Sequence, residues 1–244
     1  GRPDGEHPAA EPEAEAAEGR AVDELVQQRL RDLDFTDTPD LKTPWLPCGS
    51  DPGVAEARLF CFFGAGKQAA QYKQWNERAI QSCPSISVCP VELPGKGMFK
   101  GETMGDAHEV AEAFIRDVLD PITKDGRPWA LFGFSIGARI CYEIARRRPP
   151  LRLYASGRAA PHLGARKAGE VSEVDGLKEL GAENFLRWVA AKGWGTEGVI
   201  NRVLEHAKEE PNPEAYMMRF AKPIMDDTTI GATALSDVDR EGNQ

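Results

Sequence analysis

The chain has 244 residues, 41% of them apolar and 28% charged, and a net charge of −9. That is enough chain for one sizeable core, and no apolar run reaches the ~20 residues that a membrane-spanning helix needs. Residues 1–40 hold 12 acids against 4 bases and the remainder is nearly neutral, so there is no basic face for nucleic acid and no polybasic patch for anionic lipid.

Residues 1–20 (GRPDGEHPAAEPEAEAAEGR) are rich in Glu, Ala and Pro and have no apolar face, which predicts a disordered acidic leader. Residues 21–57 read as a short helix and a Pro-rich connector. Val22, Leu25, Val26, Leu30 and Leu33 share one helical face, equally consistent with a docking helix and a solvated linker helix, and the four prolines of DTPDLKTPWLPCGSDPG predict extended chain. The folded domain is expected over 58–244. RLFCFFG (58–64) and SISVCPVEL (85–93) are β-prone runs bounded by Gly and Pro, with the helix-compatible KQAAQYKQWNERAI between them. A second helix opens with Asp106 and Glu109 at capping-box spacing and repeats Val110, Phe114, Val118 and Ile122 every fourth residue. WALFGF then predicts a third strand, IGARICYEIARRR a third helix and LRLYAS (151–156) a fourth strand. Strands alternating with helices imply an α/β protein with a doubly wound, mostly parallel sheet. After Pro161, about 60 residues carry helical periodicity and no convincing strand, which predicts a helical insertion. The chain ends in the polar, aperiodic GATALSDVDREGNQ.

Cys48, Cys61, Cys83, Cys89 and Cys141 are odd in number and contain no C-x-x-C pair, so reduced, mostly buried thiols are expected rather than a disulfide framework or a zinc site. The first residue is Gly, and no basic-then-apolar leader precedes a small-residue cleavage site; a cytoplasmic location is expected.

The chemistry-bearing stretch is Gly133-Phe134-Ser135-Ile136-Gly137, placed between an apolar strand and a helix. A tight strand-to-helix turn needs small residues around a strained serine, and Gly133 and Gly137 supply them. Ser135 is then a candidate nucleophile at the carboxyl edge of the sheet. The N–H of Ile136, at the positive end of the following helix, is a candidate oxyanion donor. The alternative is a Gly-rich turn whose serine has no chemical part.

Four ordered blocks, LFCFFGAGK (59–67), VELPGKG (91–97), ALFGFSIGARICYEIAR (130–146) and SGRAAPH (156–162), resemble the type II thioesterases of polyketide and nonribosomal peptide assembly lines and the medium-chain fatty-acid-synthase thioesterase. The likeness extends over roughly residues 58–235. It implies an α/β-hydrolase fold with a lid at about 163–227. It also implies a catalytic Ser135 and a second oxyanion donor in the backbone N–H of Ala65, within Gly64-Ala65-Gly66. The implied partner is an acyl or peptidyl carrier protein presenting a phosphopantetheine-bound acyl group; that arm is part of the substrate, and no metal or other cofactor is implied. Arg158 and His162 belong to a recurrent family block and are read as structural. Three departures stand out: Phe63-Gly64-Ala65-Gly66-Lys67 where Pro-His-Ala-Gly-Gly is usual, Phe134 where His is usual, and Lys96 where Arg is common.

In this fold the triad follows the order Ser, Asp, His along the chain. His7 lies in the leader, His108 precedes the elbow, His162 follows the fourth strand directly and His206 falls in the helical insertion, so none fits. Asp237 and Asp239 have no strand before them, and Asp226 and Asp227 read as the end of the lid. The expectation is a domain truncated at its C-terminus, without the triad Asp and His, short of roughly two strands and two helices and left with an exposed apolar sheet edge. Three functions compete: a thioester hydrolase of the complete protein, a non-catalytic module binding acyl groups or carrier protein, and an oxygen-ester hydrolase of the same fold.

Overall fold

In the computed structural model, which describes residues 43–47, 55–159, 176, 179, 181–193 and 197–232, four strands form one parallel sheet. They are β1 (Ala57–Phe62), β2 (Ile86–Pro90), β3 (Trp129–Phe134) and β4 (Arg152–Ser156), in the order β2-β1-β3-β4. β1 is central and covered on both faces, which is why ARLFCF reads as a near-continuous apolar run rather than an alternation. From β1 the chain winds outwards first to β2 and then, on the other side, to β3 and β4. The loops after β1 and β3 therefore leave in opposite directions at a topological switch point, the place where open α/β sheets bind ligands.

The helices are α1 (Lys73–Ser82), entered through a 3₁₀ turn at Ala69–Tyr72, α2 (Ala107–Phe114) and α3 (Ile136–Arg147). Phe60 and Phe62 face α2, meeting Phe114 edge-on at ring distances of 5.4 and 5.0 Å; Phe132, of opposite parity on β3, meets Tyr72 and Trp75 beside α1. Asp106 caps α2 by accepting from the N–H groups of His108 and Glu109, as the capping-box spacing predicts. α2 continues through a π turn at Ile115–Leu119, where Pro121 cannot donate the next i→i−4 bond. The described part of the connector, residues 43–47, is not extended as expected but turns, with the Leu46 N–H donating to the Thr43 carbonyl at 3.1 Å; Trp45 in this turn is buried against Phe99 and Phe114, and its carbonyl accepts the Glu92 N–H at 2.8 Å.

Beyond β4 lie α4 (Gly181–Ala191), α5 (Glu197–Ala207) and α6 (Pro213–Gly231). They bury a second core of their own, including Phe185, Leu186, Val189, Ile200, Val203, Met217 and Met225. α6, capped by Asn212, packs on α3 and returns the chain to the sheet. All five residues of β4 are exposed, with Leu153 and Tyr154 at 37% and 53% and the preceding Leu151 at 47%, so β4 presents an apolar, unpaired edge among the described residues. No described helix is long and apolar enough to cross a membrane.

Candidate active site

Ser135 has φ 56° and ψ −112°, and among the described residues it alone, apart from glycines, takes a positive φ. That conformation costs of order 1–3 kcal/mol and persists only where its surroundings enforce it. The Ser135 N–H donates to the Ser156 carbonyl at 2.8 Å, which fastens the turn to β4. A β-carbon on Gly133 would lie 2.5 Å from the Gly137 carbonyl carbon and 2.6 Å from Ala138 Cα; one on Gly137 would lie 2.7 Å from the Phe62 carbonyl carbon. Both elbow glycines are therefore required by backbone packed against backbone.

Phe62 pairs with Gly133, so the loop leaving β1 starts beside the elbow. A β-carbon on Gly64 would stand 2.8 Å from the Phe134 ring and 3.6 Å from Ser135 Cβ, which places the Gly64-Ala65-Gly66 loop against the serine. The loop closes through Lys67 N–H to Gly64 O at 3.1 Å. Neither Ala65 N–H nor Ile136 N–H has a hydrogen-bond partner among the described residues. Ile136 begins α3, where the first amides lack intrahelical acceptors. Gly64 thus stands beside the strained serine, and Ser135 immediately precedes α3, at the positive dipole end where anions are favoured. The Phe134 ring is wedged between Gly64 and Gly157.

The far end of the loop is tied to α6. Gly66 N–H donates to Asp227 Oδ2 at 2.7 Å, and Lys96 Nζ stands 2.8 Å from Asp227 Oδ1 while donating to the Pro223 carbonyl at 2.9 Å. The Asp227 and Lys96 side chains are 0% and 7% exposed. Burial pushes the Asp227 carboxyl above the usual carboxylate range against the pull of Lys96 and the Gly66 N–H. Glu92, also buried beside Lys96, is raised for the same reason, with the Ala69 and Leu93 amides and Lys96 opposing. Asp227, expected at the end of the lid, and Lys96, one of the three departures, therefore meet at this loop; the available signal was a glutamate and a lysine of opposite charge four residues apart in VELPGKG, directly after an apolar strand.

Of the histidines, His108 Nδ1 lies 2.9 Å from Glu143 Oε2, on a carboxylate that also meets Arg139, Arg146 and Arg147, and His206 is exposed on α5. His7 and His162, with Asp237, Asp239 and the Val22–Leu33 segment, lie outside the described residues. Among the described residues no side chain hydrogen-bonds the Ser135 hydroxyl, and no group of three His, Cys, Asp or Glu could hold a metal. Asp226 pairs with Lys222 on α6, and Arg158 donates to the Gly231 carbonyl at the end of that helix. A cleft of about 700 Å³, large enough for a small-molecule ligand, opens between the 95–103 loop and α6. It is lined by Gln68, Lys96, Thr103, Met218, Arg219 and Pro223 among others.

The family model of the thioesterase domain matches residues 57–223, a stretch that contains every element from β1 to the middle of α6. The chain belongs to the thioesterase domain family. Among curated relatives, this thioesterase domain is 34% identical over 126 residues to linear gramicidin dehydrogenase LgrE of Brevibacillus parabrevis, covering 49% of this chain and 46% of that protein. It is 32% identical over 112 residues to thioesterase PikA5 of Streptomyces venezuelae, covering 43% and 38%. The chain thus spans less than half the length of these two relatives. Among solved structures, the RedJ thioesterase of the prodiginine biosynthetic pathway in Streptomyces coelicolor superposes with a TM-score of 0.54 at 27% identity, over 84% of this chain and 74% of that one.

Proposed function

We propose that the protein is a serine hydrolase of acyl thioesters presented on the phosphopantetheine arm of an acyl or peptidyl carrier protein in nonribosomal peptide or polyketide synthesis. The observation that carries this is the strained Ser135, held between two obligate glycines with the Gly64-Ala65-Gly66 loop against it, within a thioesterase domain. Ser135 Oγ attacks the thioester carbonyl, the Ala65 and Ile136 N–H groups stabilise the oxyanion, and the thiol of the arm leaves protonated. Water then attacks the acyl-serine and releases the acid. The serine hydroxyl needs a base, because it is almost wholly protonated at neutral pH. In this reading an imidazole and its orienting carboxylate come from segments outside the described residues. The chemistry invokes no metal or redox cofactor, the cleft beside α6 is the candidate acyl channel, and the expected location is the cytoplasm.

The lack of an imidazole beside Ser135 among the described residues favours one other reading, a module that binds acyl groups or carrier protein without turnover. Matched acyl thioesters and oxygen esters, assayed with the protein expressed from its whole reading frame, separate the cases. The proposal expects thioester hydrolysis to exceed oxygen-ester hydrolysis; binding without hydrolysis of either would overturn it.

A further inference from the structure

The thioesterase reading uses Ser135, Ala65 and Ile136 but gives Asp227 and Lys96 no task. Their burial calls for one. Replacing a buried ion pair by apolar residues of similar volume is often neutral or stabilising, so stability alone does not account for two charges held at 0% and 7% exposure. Their aim is specific. Asp227 Oδ2 accepts the Gly66 N–H at 2.7 Å from a helix 161 residues further along the chain, and Lys96 fixes the carboxylate from the other side.

Peptide planarity turns that contact into control of the neighbouring donor. Gly64 C=O and Ala65 N–H share one peptide plane, pinned on its carbonyl side by Lys67 N–H at 3.1 Å. Ala65 C=O and Gly66 N–H share the next plane, pinned by Asp227. Gly66 takes φ +73°, and a β-carbon there would lie 2.8 Å from Ile224 Cγ1, one turn before Asp227 on α6. With both planes held, the direction of the Ala65 N–H is set before any substrate arrives.

We propose that Asp227, held by Lys96, is a positioning residue that aims the Ala65 N–H at the oxyanion and so makes the oxyanion hole depend on the seating of lid helix α6. The proposal rests on the thioesterase reading. Loosening the loop should lower kcat and leave KM unchanged, because a transition-state contact is lost while the substrate contacts stay.

The test compares two double variants of the protein expressed from its whole reading frame, assayed on an acyl N-acetylcysteamine thioester. Asp227→Asn/Lys96→Met removes both buried charges but leaves an oxygen to accept from Gly66; Asp227→Ala/Lys96→Met removes that oxygen too. The second should fall below the first by about tenfold in kcat, less than the 10²–10³ lost when a donor is deleted outright, with KM within about twofold. Equal kcat values, or a loss confined to KM, would overturn the proposal. Hydrogen exchange at the Gly66 amide is read alongside and decides the matter if the alanine variant does not fold. Protection of about a hundredfold or more in the unmutated protein and in the asparagine variant supports the placement, and exchange at the free-peptide rate in the unmutated protein overturns it. An unmutated protein that turns over no thioester refutes the hydrolase reading instead, and the Gly66 amide still reports on Asp227.

Discussion

Gly137→Ala tests the elbow without depending on catalysis. The added methyl would sit 2.7 Å from the Phe62 carbonyl carbon and 2.8 Å from the Phe63 carbonyl oxygen, and both belong to the backbone leaving the central strand. Neither can rotate aside as a side-chain end could, so α3 or the end of β1 must move. Overpacking of this kind costs about 1–3 kcal/mol, and contact with rigid backbone puts this site at the upper end, about 3 kcal/mol. For a domain of this size each kcal/mol lowers Tm by about 2–4 °C, so the variant should melt about 6–12 °C below the parent. Gly198→Ala is the control. It is the second residue of α5, with nothing within 4 Å of the new methyl, and alanine at this open first-turn position should leave stability within about 0.5 kcal/mol of the parent. Thermal melts followed by far-UV circular dichroism, with urea titrations for ΔG, measure both. A Gly137→Ala protein melting within about 2 °C of the parent would refute the packing argument.

Ser135→Gly should be more stable than Ser135→Ala by about 1 kcal/mol in urea titrations, because glycine takes φ 56° without the strain that alanine retains. Glu143→Gln should destabilise by about 3 kcal/mol, since it neutralises the buried carboxylate shared by His108, Arg139, Arg146 and Arg147. Iodoacetamide at pH 8 should label Cys83 in the folded protein and leave Cys61 and Cys141 intact until denaturation, because burial pushes both thiols far up; peptide mass spectrometry reads all three. Glu92 has a folded-state pKa raised by burial, so its contribution to stability is fully present below its unfolded pKa and is lost as pH rises through the folded value. Urea titrations at pH 4 and pH 7 should therefore show Glu92→Gln gaining on the parent as pH rises, and a difference unchanged with pH would contradict that assignment.

The sheet and the elbow were legible because their signals are local. LFCFF and WALFGF are runs that a buried parallel strand requires, and the two glycines flanking Ser135 mark a turn that only small residues permit. What could not be read is what joins distant segments. Asp227 and Gly66 are 161 residues apart, and a helical pattern around Pro223-Ile-Met-Asp-Asp gives no hint that one of its two acids points inwards to a backbone amide while the other pairs with Lys222 on the same helix. Trp45 was hidden for a related reason: four prolines predict extended chain, whereas residues 43–46 form a turn whose tryptophan fills a space between Phe99 and Phe114. Glu143 sits in ICYEIARRR, which reads as a helix end with favourable basic residues, and only the packing of α2 on α3 shows that His108 completes a buried charge cluster around it.

Whether Ser135 carries the acyl group is decided by incubating the protein, expressed from its whole reading frame, with a carrier protein bearing an acyl-phosphopantetheine, and following both the carrier and the Ser135 peptide by mass spectrometry. The acyl group should leave the carrier with transient acylation of Ser135, and neither event should occur in Ser135→Ala. Release of the acyl group by Ser135→Ala at the parental rate would contradict that role for Ser135.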